Sequence, residues 1–140
     1  MPDGPKVFLL GVNPSDPDLL TRKAERVLRR AAAVIHDSRV DLDILALVNP
    51  NARVVPLTLE GSQEEIQAEV CASFLRLRDI GGDIVRVAVQ DCLAMGDGNE
   101  ELEFLMRHDF AVEVIPGVLP ETVFACRLAT RTAPGSVKVS

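Results

Sequence analysis

Short apolar runs alternate with longer segments of helical spacing along the chain. The first run, Val7 to Leu10, has the length of a strand and stops at Gly11, after which apolar side chains recur at helical intervals. Strand-length runs of this kind occupy residues 7–10, 33–35, 53–56, 84–89 and 111–115. Repeated strand–helix alternation implies parallel strands with right-handed helical crossovers. We therefore predict an α/β fold, a three-layer sandwich around a mostly parallel, five-stranded sheet.

The ends of the predicted helices carry recognisable signals. Asp16 is the predicted N-cap of the first helix, with Pro17 in its first turn. Ser62 and Glu65 form a capping box for the third helix, which Gly81-Gly82 is expected to stop. Further helices are predicted at about residues 41–48, 99–108 and 120–129. We expect one domain over residues 6–130, a disordered lead-in at 1–5 and a linker-like tail at 131–140.

The carboxyl ends of the predicted strands are where a ligand is expected. Open α/β sheets bind ligands in a crevice at this edge, where the strand order reverses. The segments that reach the edge are residues 11–16, 36–40, 89–98 and 116–120. Asp37 and Asp91 lie at such strand ends. Asp37 is open to two interpretations, an acid–base group or a turn residue that caps the following segment.

Composition and charge narrow the classes of partner. A net charge of -6, with no Trp or Tyr, disfavours nucleic acid as a partner. No apolar run approaches the ~18 residues of a membrane span, and residues 1–6 lack the layout of a secretion signal. We therefore expect no membrane contact and a cytoplasmic protein. Cys71, Cys92 and Cys126 are widely spaced, without C-x-x-C, and predict no metal site.

Several segments of the chain resemble the motifs of one protein family. Residues 6–21 read K-V-F-L-L-G-V-N-P-S-D-P-D-L-L-T and are similar to the family's opening motif, V-x-L-V-G-x-G-P-G-D-P-E-L-L-T. Residues 34–40 resemble V-x-Y-D-x-L-V, with Asp37 kept and His36 in place of the tyrosine. Residues 114–118 resemble the V-V-P-G-I turn, and residues 99–101 stand where the family has G-E-E. The family that these motifs resemble is the tetrapyrrole methylases, and the resemblance spans about residues 6–130.

The resemblance implies a function and a set of site residues. The fold of this chain would be that of the family's N-terminal domain. Its activity would be transfer of a methyl group from S-adenosylmethionine to a carbon of a tetrapyrrole, as in uroporphyrinogen-III C-methyltransferases. The residues expected to contact the donor are Pro14, Asp91, Gly96 and Gly117, and Asp37 is the catalytic candidate.

The chain departs from the family at the loop that holds the donor. The family reads R-L-x-G-G-D-P-x-x-F-G-R-G, and residues 86–98 keep Arg86, Asp91, Gly96 and Gly98 of this motif. Val89 and Gln90 replace the two glycines that precede the aspartate in the family motif. Glycine, which has no side chain, lets a ligand approach the main chain freely. We expect the side chain of Val89 to intrude on the donor's place and donor binding to be weakened.

The length of the chain also bears on activity. Enzymes of the family are roughly twice as long, and their donor lies in a cleft between two α/β domains. We therefore expect little or no activity from this chain alone, and a complementing second domain or a homo-oligomer as partner. The alternative is a non-catalytic binding or assembly module that retains the fold. An unrelated nucleotide binder would need a glycine-rich phosphate loop after the first strand, and residues 13–15 read N-P-S.

Overall fold

A computed structural model describes residues 5–12, 16–58, 60–89, 97–118 and 120–130. Five strands lie where apolar runs predicted them: β1 (Lys6–Val12), β2 (Ala33–Asp37), β3 (Arg53–Leu57), β4 (Ile84–Val89) and β5 (Ala111–Ile115). The α-helices are α1 (Arg22–Arg30), α2 (Leu42–Leu45), α3 (Gln63–Arg76), α4 (Asp97–Arg107) and α5 (Pro120–Thr130). The predicted order of elements is confirmed.

The strands form one sheet in the order β3-β2-β4-β1-β5, and every described pairing is parallel. The chain first runs from β1 outward to β2 and β3, and then returns to β4 and crosses to β5. The two directions of travel place α1 and α2 on one face of the sheet and α3 and α4 on the other, as right-handed crossovers require. The predicted three-layer α/β fold is confirmed.

Two apolar clusters, one on each face, hold the layers together. Side chains of a strand alternate between faces, so each central strand contributes to both clusters. Leu10 and Val87 pack with Leu28 on the α1–α2 face, whereas Leu9 and Ile84 pack on the α3–α4 face. These side chains are at most 1% exposed. Burial of one such side chain stabilises the fold by about 1.5–3 kcal/mol, so both layers are firmly fixed to the sheet.

The first predicted helix is divided in two, which corrects the sequence-based expectation. Asp16 does cap a helix, and its Oδ1 accepts from the Asp18 N–H at 3.0 Å, but that helix is a short 3-10 turn, Pro17–Leu19. Leu20 is extended, and α1 begins afresh after Thr21, whose Oγ1 accepts from the Ala24 N–H at 3.1 Å. A second cap four residues after the proline explains the division, because Thr21 supplies its own acceptor to the new helix.

The capping box of α3 is confirmed, but the helix ends earlier than its glycines suggested. Ser62 Oγ accepts from the Glu65 N–H at 3.2 Å. At the other end the Leu77 N–H bonds to the carbonyls of Ser73 and Phe74, which tightens the last turn. Gly81, with φ +81°, instead serves the turn that leads into β4.

Helix α5 leaves apolar side chains uncovered. Phe124 is 65% exposed and Leu128 is 38% exposed, and Val118 just before the helix is 37% exposed. They contrast with the side chains of α1 and α3 that face the sheet, which are buried. No helix among the described residues is long and apolar enough to cross a bilayer.

Both outer strands carry features that bear on pairing with another sheet. Strand β3 forms one edge, and Pro56 within it has no N–H to donate. Strand β5 forms the other edge, where Glu113 pairs with Lys23 of α1 and with Lys6 of β1, the latter at 3.1 Å. The hydrogen bond from Lys23, followed by that from Lys6, lowers the pKa of Glu113 from its ordinary value.

We expect the stabilising effect of Glu113 to depend on pH. Because its pKa is lowered in the folded state, its contribution is present above the ordinary carboxyl pKa of 4.5 and is lost as the pH falls through the folded value. The difference in Tm between the wild type and Glu113→Gln should therefore be largest near neutral pH and shrink in acid. Thermal unfolding at a series of pH values measures it. A difference that is constant with pH would contradict the pairing.

Candidate functional site

The candidate site lies at the carboxyl edge of the sheet, between β1 and β4. These strands are neighbours, yet the chain leaves β1 for α1 on one face and leaves β4 for α4 on the other. This divergence is the reversal of strand order at which open α/β sheets form a ligand crevice. The connecting residues 13–15 and 90–96 lie outside the described residues. Three of the predicted donor contacts, Pro14, Asp91 and Gly96, therefore lie outside them too.

A buried cluster of three charged side chains lies behind this edge. Arg86 of β4 is 4% exposed and lies between Asp37 at the end of β2 and Glu101 in α4, which are 5% and 3% exposed. Arg86 Nε donates to Glu101 Oε1 at 3.0 Å, and Arg86 Nη1 lies 2.9 Å from Asp37 Oδ1. We call these three residues the charge cluster. It joins β2, β4 and α4.

Asp37 uses both carboxylate oxygens within the fold. Oδ2 accepts a hydrogen bond from the main-chain N–H of Val89 at 3.0 Å. Oδ1 lies in ion-pair contact with Arg86, but the Nη1 group donates to the carbonyl of Val87 at 2.8 Å. The pair is thus a contact of charges without an aligned hydrogen bond, and Oδ1 accepts none from the described residues. The acid–base role of Asp37 stays a prediction.

His36 stands where the family resemblance has a tyrosine. It is 7% exposed and alternates with Asp37 along β2, so it points to the opposite face of the sheet. Its Nδ1 lies 2.8 Å from the carbonyl of Asp37. A carbonyl can only accept, so Nδ1 carries the hydrogen and the neutral ring keeps its lone pair on Nε2. The same carbonyl also accepts from the Val40 N–H at 3.1 Å, which closes the turn after β2.

Gly117 is a glycine because of a close approach of two main chains. A Cβ at this position would lie 2.8 Å from the carbonyl oxygen of Gly11 at the end of β1. The turn after β5 is thereby drawn against the end of β1, next to the crevice. Gly11 in turn pairs with Ala88 of β4. The end of β1 is thus packed between β4 on one side and the turn after β5 on the other.

The side chain of Val89 lies in the apolar core. It is 9% exposed and belongs to the cluster on the α1–α2 face, together with Leu10 and Val34. Nearly all of the side chain is enclosed by the fold, and the expected intrusion of Val89 on the donor's place stays a prediction. The neighbouring substitution, Gln90, lies outside the described residues.

The sequence did not reveal the charge cluster as a unit. Asp37, Arg86 and Glu101 each fall in a segment that resembles the family, but they are 15 to 64 residues apart along the chain. One signal was available: Arg86 interrupts the apolar run Ile84-Val85 to Val87-Ala88 of a strand expected to be buried. A charge in such a strand requires a charged or hydrogen-bonding partner.

The described residues include no group of three or more His, Cys, Asp or Glu that could hold a metal ion. The two carboxylates of the charge cluster are directed to Arg86 instead. Cys71 of α3 lies near this region. Burial raises the pKa of its thiol, and the charges of Glu101 and Glu100 raise it further, so the thiol stays protonated near neutral pH.

The chain matches the model of a known protein family. The family model of the tetrapyrrole (corrin/porphyrin) methylases matches residues 6–140. The chain belongs to this family. The predicted family resemblance is confirmed, and the tetrapyrrole methylases are α/β proteins of the fold described above.

Relatives of this tetrapyrrole methylase chain include proteins named as uroporphyrinogen III methyltransferases. The S-adenosyl-L-methionine-dependent uroporphyrinogen III methyltransferase of Arabidopsis thaliana, a chloroplastic protein, is 37% identical over 123 residues, 87% of this chain and 33% of that protein. The uroporphyrinogen-III C-methyltransferase of Synechocystis is 36% identical over 114 residues, 81% of this chain and 43% of that protein. The chain therefore spans a third to less than half of these relatives.

Solved structures give the same picture. The uroporphyrin-III C-methyltransferase of Thermus thermophilus superposes with a TM-score of 0.72 and 31% identity, over 91% of this chain and 53% of that one. The same enzyme in complex with S-adenosyl homocysteine gives a TM-score of 0.64 and 34% identity, over 89% of this chain and 47% of that one. The matched part is about half of each solved enzyme.

We expect Gly117→Ala to destabilise the protein. The added Cβ would lie 2.8 Å from the Gly11 carbonyl oxygen, so the turn or the end of β1 must shift. Overpacking of this kind costs about 1–3 kcal/mol in the free energy of unfolding, measured by urea denaturation. The control is Val118→Ala, an exposed neighbour whose change should stay within about 0.5 kcal/mol. Equal stability of both variants would contradict the close approach.

Proposed function

We propose that this chain forms the donor-binding half of a methyltransferase that moves a methyl group from S-adenosylmethionine to a carbon of a tetrapyrrole. The observation that carries the proposal is the similarity to the Thermus enzyme whose solved complex contains S-adenosyl homocysteine. That ligand is what remains of the donor after its methyl group has left. The substrate class is proposed from the relatives, which act on uroporphyrinogen III according to their names.

The close approach of Gly117 to the Gly11 carbonyl draws the turn after β5 against the end of β1, beside the crevice. By resemblance to the family, we propose that Pro14, Asp91, Gly96 and Gly117 contact the donor. When bound, S-adenosylmethionine supplies an electrophilic methyl group. The chain then has to hold that methyl group in line with the accepting carbon, and such alignment contributes to catalysis by proximity.

We further propose that the chain alone has little or no activity. The chain spans 43% of one matched relative and 53% of one solved enzyme, and Phe124 and Leu128 of α5 are exposed apolar side chains that a second domain or another chain would cover. Half of a cleft can bind a donor on one side without enclosing the substrate. Excluding water from the reacting atoms would then require a second wall, from another domain or another chain.

A non-catalytic binding or assembly module is the second candidate. It is favoured by the donor loop, in which Val89 and Gln90 replace the two glycines of the family motif. The side chain of Val89 is turned into the core. Gln90 is therefore the substitution that mainly favours this second candidate. The two candidates differ in whether the donor binds at all.

Calorimetric titration with S-adenosylhomocysteine and S-adenosylmethionine separates the two candidates. Micromolar binding by the 140-residue chain supports the donor-binding half of an enzyme. Absence of heat up to millimolar ligand supports the module. Adenosine serves as control ligand, because it lacks the amino-acid arm of the donor.

Substitution of Gln90 tests whether the donor loop is weakened by its side chain. We expect Gln90→Gly to tighten S-adenosylhomocysteine binding by about tenfold, since a tenfold change corresponds to only ~1.4 kcal/mol of relieved crowding. Gln90→Ala is the matched control, because it removes the bulk but keeps the Cβ and its conformational limits. If neither substitution changes the affinity, the expectation that the Gln90 side chain weakens donor binding is refuted.

A further inference from the structure

The charge cluster occupies a place that the proposed chemistry does not explain. Arg86 is too deeply buried, at 4% exposure, to bind the carboxylates of a substrate at the surface. Asp37 faces Arg86 and the Val89 N–H, and Glu101 faces Arg86. Burying three charges is costly and is repaid only when their geometry is well satisfied. The role of the charge cluster is therefore inferred from the elements that it connects.

The connections converge on the two boundaries of residues 90–96. Val89 is the last described residue before this segment, and its main-chain N–H is bound by Asp37. Asp97 is the first described residue after it and begins α4, and Glu101 lies about one turn further along that helix. Arg86 is in contact with Asp37 on one side and Glu101 on the other. A single guanidinium thus links the strand before the segment to the helix after it.

We propose that Arg86 is a positioning residue of the ligand crevice, which fixes the carboxyl end of β4 relative to β2 and α4 and thereby sets the affinity for the donor. Arginine suits this task because its planar group presents several donors in fixed directions, so Nε can bind Glu101 while Nη1 faces Asp37 and Val87. A lysine ammonium would keep the charge without this fork. The effect on the donor rests on the proposed function, whereas the effect on β4 does not.

The main-chain N–H of Val89 reports on the positioning directly. Its hydrogen exchange, followed by NMR in the full chain without ligand, is compared with that of Leu9 in the middle of β1, which reports global opening. We expect Arg86→Lys and Asp37→Ala to speed exchange at Val89 by about tenfold beyond any change at Leu9, as loss of a hydrogen bond to a charged group implies. Asp37→Asn keeps an acceptor oxygen and should restore most of the protection.

Arg78 provides a matched control. It is a part-buried arginine in the turn after α3, and its Nη2 donates at 2.6 Å to the carbonyl of His108, just beyond the end of α4. Arg78→Lys should leave the Val89 exchange ratio within about twofold of the wild type, because it does not touch the charge cluster. If Arg86→Lys does not fold, Glu101→Gln replaces it, since this variant keeps the shape and an acceptor but loses the charge.

Donor affinity is the second measurement, by calorimetry with S-adenosylhomocysteine. Arg86→Lys should weaken binding by about tenfold and Arg78→Lys should leave it unchanged. Equal exchange at Val89 in the wild type and in Arg86→Lys would overturn the positioning role. Faster exchange with unchanged affinity would overturn its link to the donor. A wild type that binds no donor would refute the proposed function, while the exchange measurement would still decide the positioning role.

Discussion

Arg86 carries a full positive charge in the central strand of a sheet that is otherwise covered by apolar side chains on both faces. A parallel sheet leaves such a charge no access to water, so its partners have to come from the neighbouring elements. They come from the end of β2 and from α4, and the result is that three separate elements meet at one guanidinium. The edge of the sheet that carries the crevice is built on this contact, because the last amide of β4 is bound by Asp37 as well.

The fold could be predicted from the sequence because its signals are local. Strand-length apolar runs and the Ser62–Glu65 capping box each act over a few residues. The division of the first helix was missed although its signal is equally local: Thr21 is a second N-cap, so a new helix begins there. The early end of α3 was missed because Gly81 serves the turn before β4 and not the helix.

The site could be predicted only in part, because its residues meet across the sheet. The role of Gly117 depends on the carbonyl of Gly11, a contact that no spacing along the chain discloses. Val89 was expected in the crevice on the strength of a motif, whereas the alternation of the strand turns its side chain into the core. Family resemblance marked Asp37, Arg86 and Glu101 separately, and the three-dimensional arrangement was needed to show one cluster.

The two outer strands of the sheet have a consequence for how copies of this chain can associate. An open edge offers main-chain donors and acceptors to a strand of another molecule, which leads to aggregation. Here Pro56 interrupts the donors along β3, and the paired charges around Glu113 accompany β5. Growth of a continuous intermolecular sheet is therefore discouraged at both ends. Self-association of this chain would instead use helical surfaces.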